Sequence, residues 1–198
     1  MYDLVEEEGN IHVIKGYPQP ARQLLTKKPV TKLADLKGMK IRIPAGNKLY
    51  EDSWAAYGTL PVALAMDEVY TGLEQGVIDG CEMPIDTLYY SGLHEAAKYL
   101  ALTNHMMYLQ YIMINADIWN NQLTEEERTI FNETAAEIEE YHNELMKKMI
   151  DEIVEDMKSK GVTVTEINMK DFIDATIPVL EKWMDDWGRD VYDAFRPN

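Results

Sequence analysis

The feature that most constrains the fold is an alternation of strand and helix patterns between residues 40 and 98. Short apolar runs of strand type at residues 40–43, 61–64 and 77–81 each precede a helical pattern, at residues 47–57, 67–75 and 85–98. Parallel strands need a long crossover between them, and a helix supplies it. The alternation therefore predicts an α/β fold with a parallel sheet covered by helices.

The rest of the chain predicts three more strands, one of them at residues 162–167, and two longer helices. Residues 10–15 alternate as a strand, and the nearly uncharged residues 106–115 predict a buried strand. Thr124 and Glu127 have the spacing of a capping box, which opens a long helix that we expect to end at Gly161. Residues 169–196 have a helical pattern, in which Pro178 is predicted to begin a new segment.

The charge balance and the cysteine content exclude several classes of site. The 198 residues include 35 acidic and 19 basic side chains, which gives a net charge of −16. Such a surface argues against binding of nucleic acid or anionic lipid. Cys81 is the only cysteine, so an intramolecular disulfide and a zinc site built on several thiolates are excluded. No signal peptide of the secretory type follows Met1, and no apolar run approaches the length of a membrane span.

Arg42 is the residue whose position most clearly predicts a ligand site. It lies inside an apolar strand pattern, and Pro44 and a turn at Gly46 follow directly. Open α/β sheets bind ligands at the carboxyl ends of their strands, and a guanidinium offers a planar fork of donors that matches a carboxylate. An edge-strand arginine that faces water remains an alternative on spacing alone.

Four segments in this order resemble the solute-binding proteins of tripartite ATP-independent periplasmic (TRAP) transporters, the DctP-type family. They are residues 35–44 (DLKGMKIRIP), 68–76 (EVYTGLEQG), 77–84 (VIDGCEMP) and 98–105 (KYLALTNH). The resemblance implies a periplasmic-binding-protein-like fold and a periplasmic protein that captures a small organic carboxylate, such as a dicarboxylate. It further implies delivery of that solute to membrane permease subunits, with no catalysis and no cofactor.

The resemblance also implies a set of ligand-binding residues. Arg42 matches the arginine that pairs with the solute carboxylate, and Lys28 aligns with a second cation that some members carry as arginine. Ala45 follows Arg42 in the turn, where backbone N–H groups at the start of the next helix can face an anion. Glu82 lies in the third matching segment and completes the polar part of this set.

Two methionines depart from the family pattern. Met83 stands where many members have asparagine, and Met66 stands where an aromatic residue often precedes the next helix. Ordinary core packing is one interpretation of both. If they line the binding cleft with Arg42, we expect the solute to have an apolar body rather than several hydroxyl groups.

The resemblance predicts a division of the chain. Residues 1–26 are expected to be a remnant of the first lobe, residues 27–105 the α/β second lobe, residues 106–123 a crossover strand of the first-lobe sheet, and residues 124–198 a long spanning helix followed by a C-terminal helical segment. Most of the first lobe is then missing. We expect the uncovered strand edges and apolar helix face to give a homo-oligomer, and solute binding to be weak.

Two other functions stay open at the level of sequence. Glu139 and His142 have the spacing of half a di-iron carboxylate motif, which would suit a helical enzyme. No second such pair occurs in the sequence, so we predict neither a metal site nor catalytic residues. A truncated module that binds no solute is the third hypothesis, and a ligand titration separates it from the first.

Overall fold

The computed structural model describes residues 2–190 and residue 193. These residues divide into two compact units, each made of two stretches of chain. Unit 1 consists of residues 1–20 and 107–152, and unit 2 consists of residues 21–106 and 153–198. Within the described residues, no helix combines the length and the apolarity needed to cross a bilayer.

Unit 2 is built on a six-stranded sheet in which one strand runs against the others. The order across the sheet is β4-β3-β5-β2-β6-β8, and only β2 is antiparallel to its neighbours. Its strands are β2 (Arg22–Thr26), β3 (Lys40–Ile43), β4 (Leu60–Ala63), β5 (Gly80–Pro84), β6 (Tyr99–Met106) and β8 (Thr163–Glu166). The amino end of β2 and the carboxyl ends of the other five therefore share one edge, which we call the carboxyl edge.

Five helices and the end of a sixth accompany this sheet. They are α2 (Lys48–Ala56), α3 (Val69–Glu74), α4 (Ile85–Tyr90), α5 (Leu93–Ala96), α8 (Lys170–Trp187) and the last turns of α7 (Glu125–Ser159). Asn47 caps α2, because its side chain accepts a hydrogen bond from the Tyr50 amide at 3.2 Å. The main apolar cluster joins Ile41 and Ile43 of β3 to Trp54 of α2 and Phe172 of α8.

This cluster defines the two faces of the sheet. Successive residues of a strand point to opposite faces. Ile41 and Ile43 belong to the cluster with α2 and α8, so Arg42 lies on the other face together with its pairing partner Cys81. We call the face of Ile41 and Ile43 face A and the face of Arg42 face B. Helix α4 contacts β2 and β5, and it packs with α5.

Unit 1 contains a two-stranded antiparallel sheet of β1 (Ile11–Pro18) and β7 (Leu109–Asn115). It also contains α1 (Tyr2–Gly9), α6 (Ala116–Asn121) and most of α7. The predicted capping box is present, because Glu127 N–H donates to Thr124 Oγ1 at 3.2 Å and Thr124 N–H donates to the Glu127 carboxylate at 2.8 Å. Helix α7 ends two residues before Gly161, whose φ of +81° suits glycine.

Several predicted elements differ from those observed. Most of the predicted buried strand at residues 106–115 is β7 (Leu109–Asn115), whose side chains are exposed or half-buried, because β1 is the one strand that pairs with it in the described part of the chain. Residues 22–26 form β2, which was not predicted, because Pro18 and Pro20 indicated a break before it. Helix α8 runs through Pro178 without a break, and its predicted end at Arg196 lies outside the described residues. The helix predicted at residues 67–75 begins as a 3-10 turn at Met66–Glu68, where the Glu68 carboxylate accepts from the Ala65 amide at 3.1 Å, and α3 follows.

Candidate functional site

Arg42 lies on face B, one residue before β3 ends at the carboxyl edge. Arg42 is 7 % exposed, so it is largely shielded from water and is not an edge-strand arginine that faces the solvent. Its Nε donates to the Leu64 carbonyl at 2.9 Å, and Leu64 N–H in turn donates to the Ile43 carbonyl. This contact holds the side chain along the carboxyl edge.

No carboxylate forms an ion pair with Arg42 among the described residues. Burial lowers the pKa of Arg42 below its usual range, and the charge of Glu82 on the opposite face partly offsets that effect. A guanidinium stays protonated at neutral pH even so. Arg42 is thus a cation with spare donors and, in the described part of the chain, no carboxylate within ion-pair distance.

Arg22 on face A is in the opposite situation. It begins β2, and its Nε and Nη2 donate to the Glu82 carboxylate at 2.6 and 2.9 Å. Its Nη2 also contacts the Glu82 carbonyl oxygen, and the guanidinium lies 5.4 Å from the ring centre of Tyr50. Glu82 is completely buried. A bidentate pair of this kind neutralises both charges inside the unit.

His105 completes this buried group. Its Nε2 lies 3.1 Å from the Glu82 carboxylate, and its Nδ1 lies 2.8 Å from Thr103 Oγ1. The ring also packs edge-on against Trp54 with centres 5.2 Å apart. Glu82 was predicted to bind ligand, but its carboxylate is fully occupied by Arg22 and His105. Direct contact with a ligand therefore stays a prediction, and a positioning role has better geometric support.

The two predicted methionines lie in different environments. Met83 shares face B with Arg42, but it is 2 % exposed, because β5 lies inside the sheet between β3 and β2. Met66 is 40 % exposed, just before the turn that leads into α3. The structure therefore does not bring them together as one open apolar wall.

Ala45 is exposed in the turn between β3 and α2. A cavity of about 340 Å³ lies beside this turn, at the carboxyl ends of β3 and β4, and is lined by residues such as Pro44, Gly46, Asn47 and Lys48. Arg42 does not line this cavity. The cavity nevertheless lies at the same edge of the sheet, where the first amides of α2 add positive potential. The Lys48 ammonium is paired with Glu51 and Asp52 at 3.1 and 3.0 Å.

Lys28 lies away from this edge. It follows Thr26, the last residue of β2, and that strand begins at the carboxyl edge with Arg22. Lys28 is therefore at the opposite end of the sheet from Pro44 and Pro84. The second cation at the carboxyl edge is Arg22, and the prediction that Lys28 contacts the solute has no support from this arrangement.

Sequence reasoning missed Arg22, His105 and a pair of amides beside them. Gln23 is buried next to Met83, and it donates to Asn104 Oδ1 at 2.7 Å while accepting from the Asn104 amide at 3.0 Å. Asn104 has a φ of +43°, which asparagine tolerates better than most residues. The available signal was a charged residue, Arg22, at the start of an apolar run, since buried cations need partners.

The pair considered for an enzyme has other contacts in unit 1. The Glu139 carboxylate lies 2.8 Å from Lys15 Nζ, and the His142 ring packs 5.6 Å from the ring of Tyr17. In the part of the chain that the structure describes, no group of three or more histidine, cysteine, aspartate or glutamate residues is arranged to hold a metal ion. These contacts do not favour the helical-enzyme hypothesis.

The sequence matches a family model described as bacterial extracellular solute-binding protein, family 7, over residues 1–186. A solute-binding protein of Roseobacter denitrificans is 32 % identical over 162 residues, which are 82 % of this chain and 49 % of that protein. The ectoine-binding periplasmic protein TeaA of Halomonas elongata is 29 % identical over 204 residues, covering 99 % of this chain and 59 % of that protein.

Solved structures give the same result at the level of the fold. A TRAP periplasmic solute-binding protein of Actinobacillus succinogenes with bound L-galactonate superimposes with a TM-score of 0.81 at 33 % identity, covering 98 % of this chain and 64 % of that chain. The present chain thus spans about half to three-fifths of the curated relatives above, at 49 % and 59 %.

Proposed function

The chain belongs to family 7 of the bacterial extracellular solute-binding proteins, and on that basis we propose that it captures a small organic carboxylate. Arg42 carries this proposal, because it is a guanidinium at the carboxyl edge that has no carboxylate partner among the described residues. A solute carboxylate would supply the missing anion, with Arg42 Nη atoms as donors. The role of the protein is then binding, without catalysis.

We further propose that capture takes place in the periplasm, with delivery to TRAP permease subunits. Two relatives support this, since TeaA is a periplasmic binding protein and the Actinobacillus protein is a TRAP periplasmic solute-binding protein. The bound L-galactonate of the latter is itself a carboxylate. For the present chain, compartment, permease partner and solute are all part of the proposal.

Calorimetric titration with a panel of organic acids, each paired with its uncharged amide, tests the assignment of Arg42. We expect an acid in the panel to bind and its amide to bind far more weakly. Arg42→Ala should lower the affinity about tenfold or more, which corresponds to about 1.4 kcal/mol. Arg42→Lys should also lose affinity, because an ammonium lacks the planar fork.

Lys28→Ala is the matched control, since that lysine lies at the other end of the sheet. Equal losses in Lys28→Ala and Arg42→Ala would point to general electrostatics rather than a specific clamp. Unchanged binding in both Arg42 variants would falsify the assignment.

We also propose that the chain associates through unit 1. Exposed apolar side chains on α7 support this proposal, with Tyr141 67 % and Leu145 50 % exposed. Apolar surface of this kind recruits partners. Light scattering should then report a homo-oligomer, and Tyr141→Ser/Leu145→Ser should shift the chain to a monomer. A monomer already in the parent chain contradicts this part of the proposal.

A further inference from the structure

The end of unit 2 opposite the carboxyl edge concentrates positive charge in a strongly acidic protein. Five lysines lie within residues 27–40, at the carboxyl end of β2 and in the loop that leads into β3. All five are exposed. A sixth, Lys98, immediately precedes β6 at the same end, because Tyr99 pairs with Thr26. We call this group the basic end: Lys27, Lys28, Lys32, Lys37, Lys40 and Lys98.

The lysines of the basic end differ from most other cations of the chain in how they are paired. Most lysines elsewhere form ion pairs, such as Lys160 with Asp156 at 2.7 Å and Lys182 with Asp52 at 2.6 Å. No ion pair within the described residues includes any of the six lysines of the basic end. Their positive charge is therefore free to act on an external anion.

Two of the six side chains have local roles that leave the charge in place. Lys27 Nζ donates to the Leu73 carbonyl at 2.7 Å, and Lys98 Nζ donates to the Lys160 carbonyl at 3.3 Å. Leu73 lies in the last turn of α3 and Lys160 directly follows α7, and a cation is favourable at the carboxyl end of a helix. The side chains of Lys28, Lys32, Lys37 and Lys40 make no hydrogen bond to another described residue.

Asp35 and Asp79 lie beside lysines of the basic end, and both carboxylates accept hydrogen bonds from backbone amides. Asp35 accepts from the Thr31 and Lys32 amides at 2.9 and 3.2 Å, and Asp79 accepts from the Lys40 amide at 2.9 Å. They lower the local excess of positive charge without removing it. Beyond about 8 Å, physiological salt screens the acidic remainder of the chain. The net charge of −16 therefore does not decide what this end attracts.

The composition of the basic end indicates the kind of partner. Residues 27–40 contain no arginine and no aromatic residue. Interfaces with proteins and nucleic acids favour arginine and aromatic residues, because a guanidinium group and an aromatic ring make directional contacts. Lysine is a compact point charge that suits a diffuse negative surface. Leu60 and Val77, 55 % and 45 % exposed, start β4 and precede β5 at the same end.

We propose that the basic end is a docking surface for an anionic bilayer. Lysine head groups would approach the lipid phosphates, and the exposed aliphatic side chains of Leu60 and Val77 would meet the interfacial region. This contact would keep the protein near a membrane surface. The proposal goes beyond solute capture and does not depend on which solute is bound.

Sedimentation of the full chain with lipid vesicles tests this proposal. Binding to phosphatidylcholine vesicles that contain phosphatidylglycerol should exceed binding to phosphatidylcholine alone, and added salt should reduce it. Lys32→Gln/Lys37→Gln should lower the partition coefficient about tenfold or more, because each lysine near the surface contributes. Both side chains are exposed, so the circular dichroism spectrum of the double variant should match that of the parent chain.

Lys147→Gln/Lys148→Gln is the matched control, because it removes the same charge from exposed positions on α7. It should change vesicle binding less than about twofold. Equal losses in the two double variants would overturn the proposal, as would equal binding to charged and uncharged vesicles. Retention on heparin without vesicle binding would overturn it too, and would assign the basic end to an anionic polymer. A solute titration on the same variants keeps this outcome separate from the test of Arg42.

Discussion

The two arginines of the six-stranded sheet lie on opposite faces and have opposite environments. Arg22 on face A is paired with a fully buried carboxylate, and His105 lies against the same carboxylate. Arg42 on face B donates to one backbone carbonyl and meets no carboxylate among the described residues. Both are mostly buried, at 9 % and 7 % exposure, so burial alone does not distinguish them.

This difference shows that the partner of a buried charge indicates whether the charge contributes to stability or to ligand binding. A buried cation with a bidentate carboxylate is satisfied, and removing one partner leaves the other charge uncompensated. A buried cation with unused donors is costly to keep unless an external anion completes it. We therefore expect substitutions in the buried group on face A to change stability. We expect substitutions of Arg42 on face B to change affinity for the solute.

The largest expected effect is on the stability of face A. Glu82→Gln keeps the shape of the side chain but removes the charge that neutralises Arg22. We expect a loss of about 3–5 kcal/mol in the free energy of unfolding, measured by urea denaturation. Glu68→Gln is the control, because that carboxylate is exposed and should cost less than about 1 kcal/mol.

A double substitution sharpens the same comparison. Arg22→Met/Glu82→Leu removes both charges and fills similar volume, so it should recover most of the stability that Glu82→Gln loses. A double variant as unstable as the single one would mean that Arg22 and Glu82 do more than neutralise each other. A loss below about 1 kcal/mol in Glu82→Gln would contradict the contrast between the two faces.

The sequence predicted the α/β fold and the family correctly, because both depend on local patterns. Strand β3 was predicted with its observed bounds. The alternation of strands and helices after it was predicted from hydrophobic periodicity and turn residues. The family model over residues 1–186 confirms the resemblance of the four segments. Arg42 was selected for the same reason, since its strand and the following turn are adjacent in sequence.

The buried group on face A could not be predicted, because its members are far apart in the sequence. Arg22 and Glu82 are 60 residues apart, and His105 is 23 residues beyond Glu82. Only the antiparallel pairing of β2 with β5 and β6 brings them together. The sequence predicted a parallel sheet here, so β2 and its arginine were missed. Lys28 was named as the second cation from the family resemblance alone.

The next largest effect concerns Met83 on face B. Because Met83 is 2 % exposed, Met83→Asn should bury an amide in an apolar site and lower the free energy of unfolding by about 2–3 kcal/mol. Met66→Asn, at a position 40 % exposed, should change it by less than about 0.5 kcal/mol. Thermal denaturation of both variants measures the difference.

The same pair of variants tests the predicted selectivity. If Met83 contacts the solute, Met83→Asn should shift preference toward polyhydroxylated acids in a thermal-shift panel. A large loss of stability with unchanged preference would assign Met83 to the core alone. A parent protein already stabilised best by sugar acids would remove the argument for an apolar solute body.

The smallest expected effect is a change in the pH dependence of the unfolding free energy, through His94 of α5, the helix that packs with α4. His94 is 4 % exposed and stacks on Tyr89 with ring centres 5.0 Å apart. Burial lowers the pKa of His94 below 6.5, and the charges of Lys160 and Lys98 act in the same direction, against Glu95. The unfolded chain therefore binds a proton at this histidine more readily than the folded one does.

The sign of the pH effect follows from that difference. Stability from a neutral His94 is complete above pH 6.5 and decreases as pH falls through 6.5 towards the lower pKa of the folded state. His94→Phe keeps the ring stack and removes the titration, so its unfolding free energy should vary less between about pH 7 and pH 5. Tyr90→Phe, at a position 71 % exposed, should leave the slope unchanged. If the slope of His94→Phe equals that of the parent chain, the acid sensitivity of the protein does not arise at His94, and this prediction is wrong.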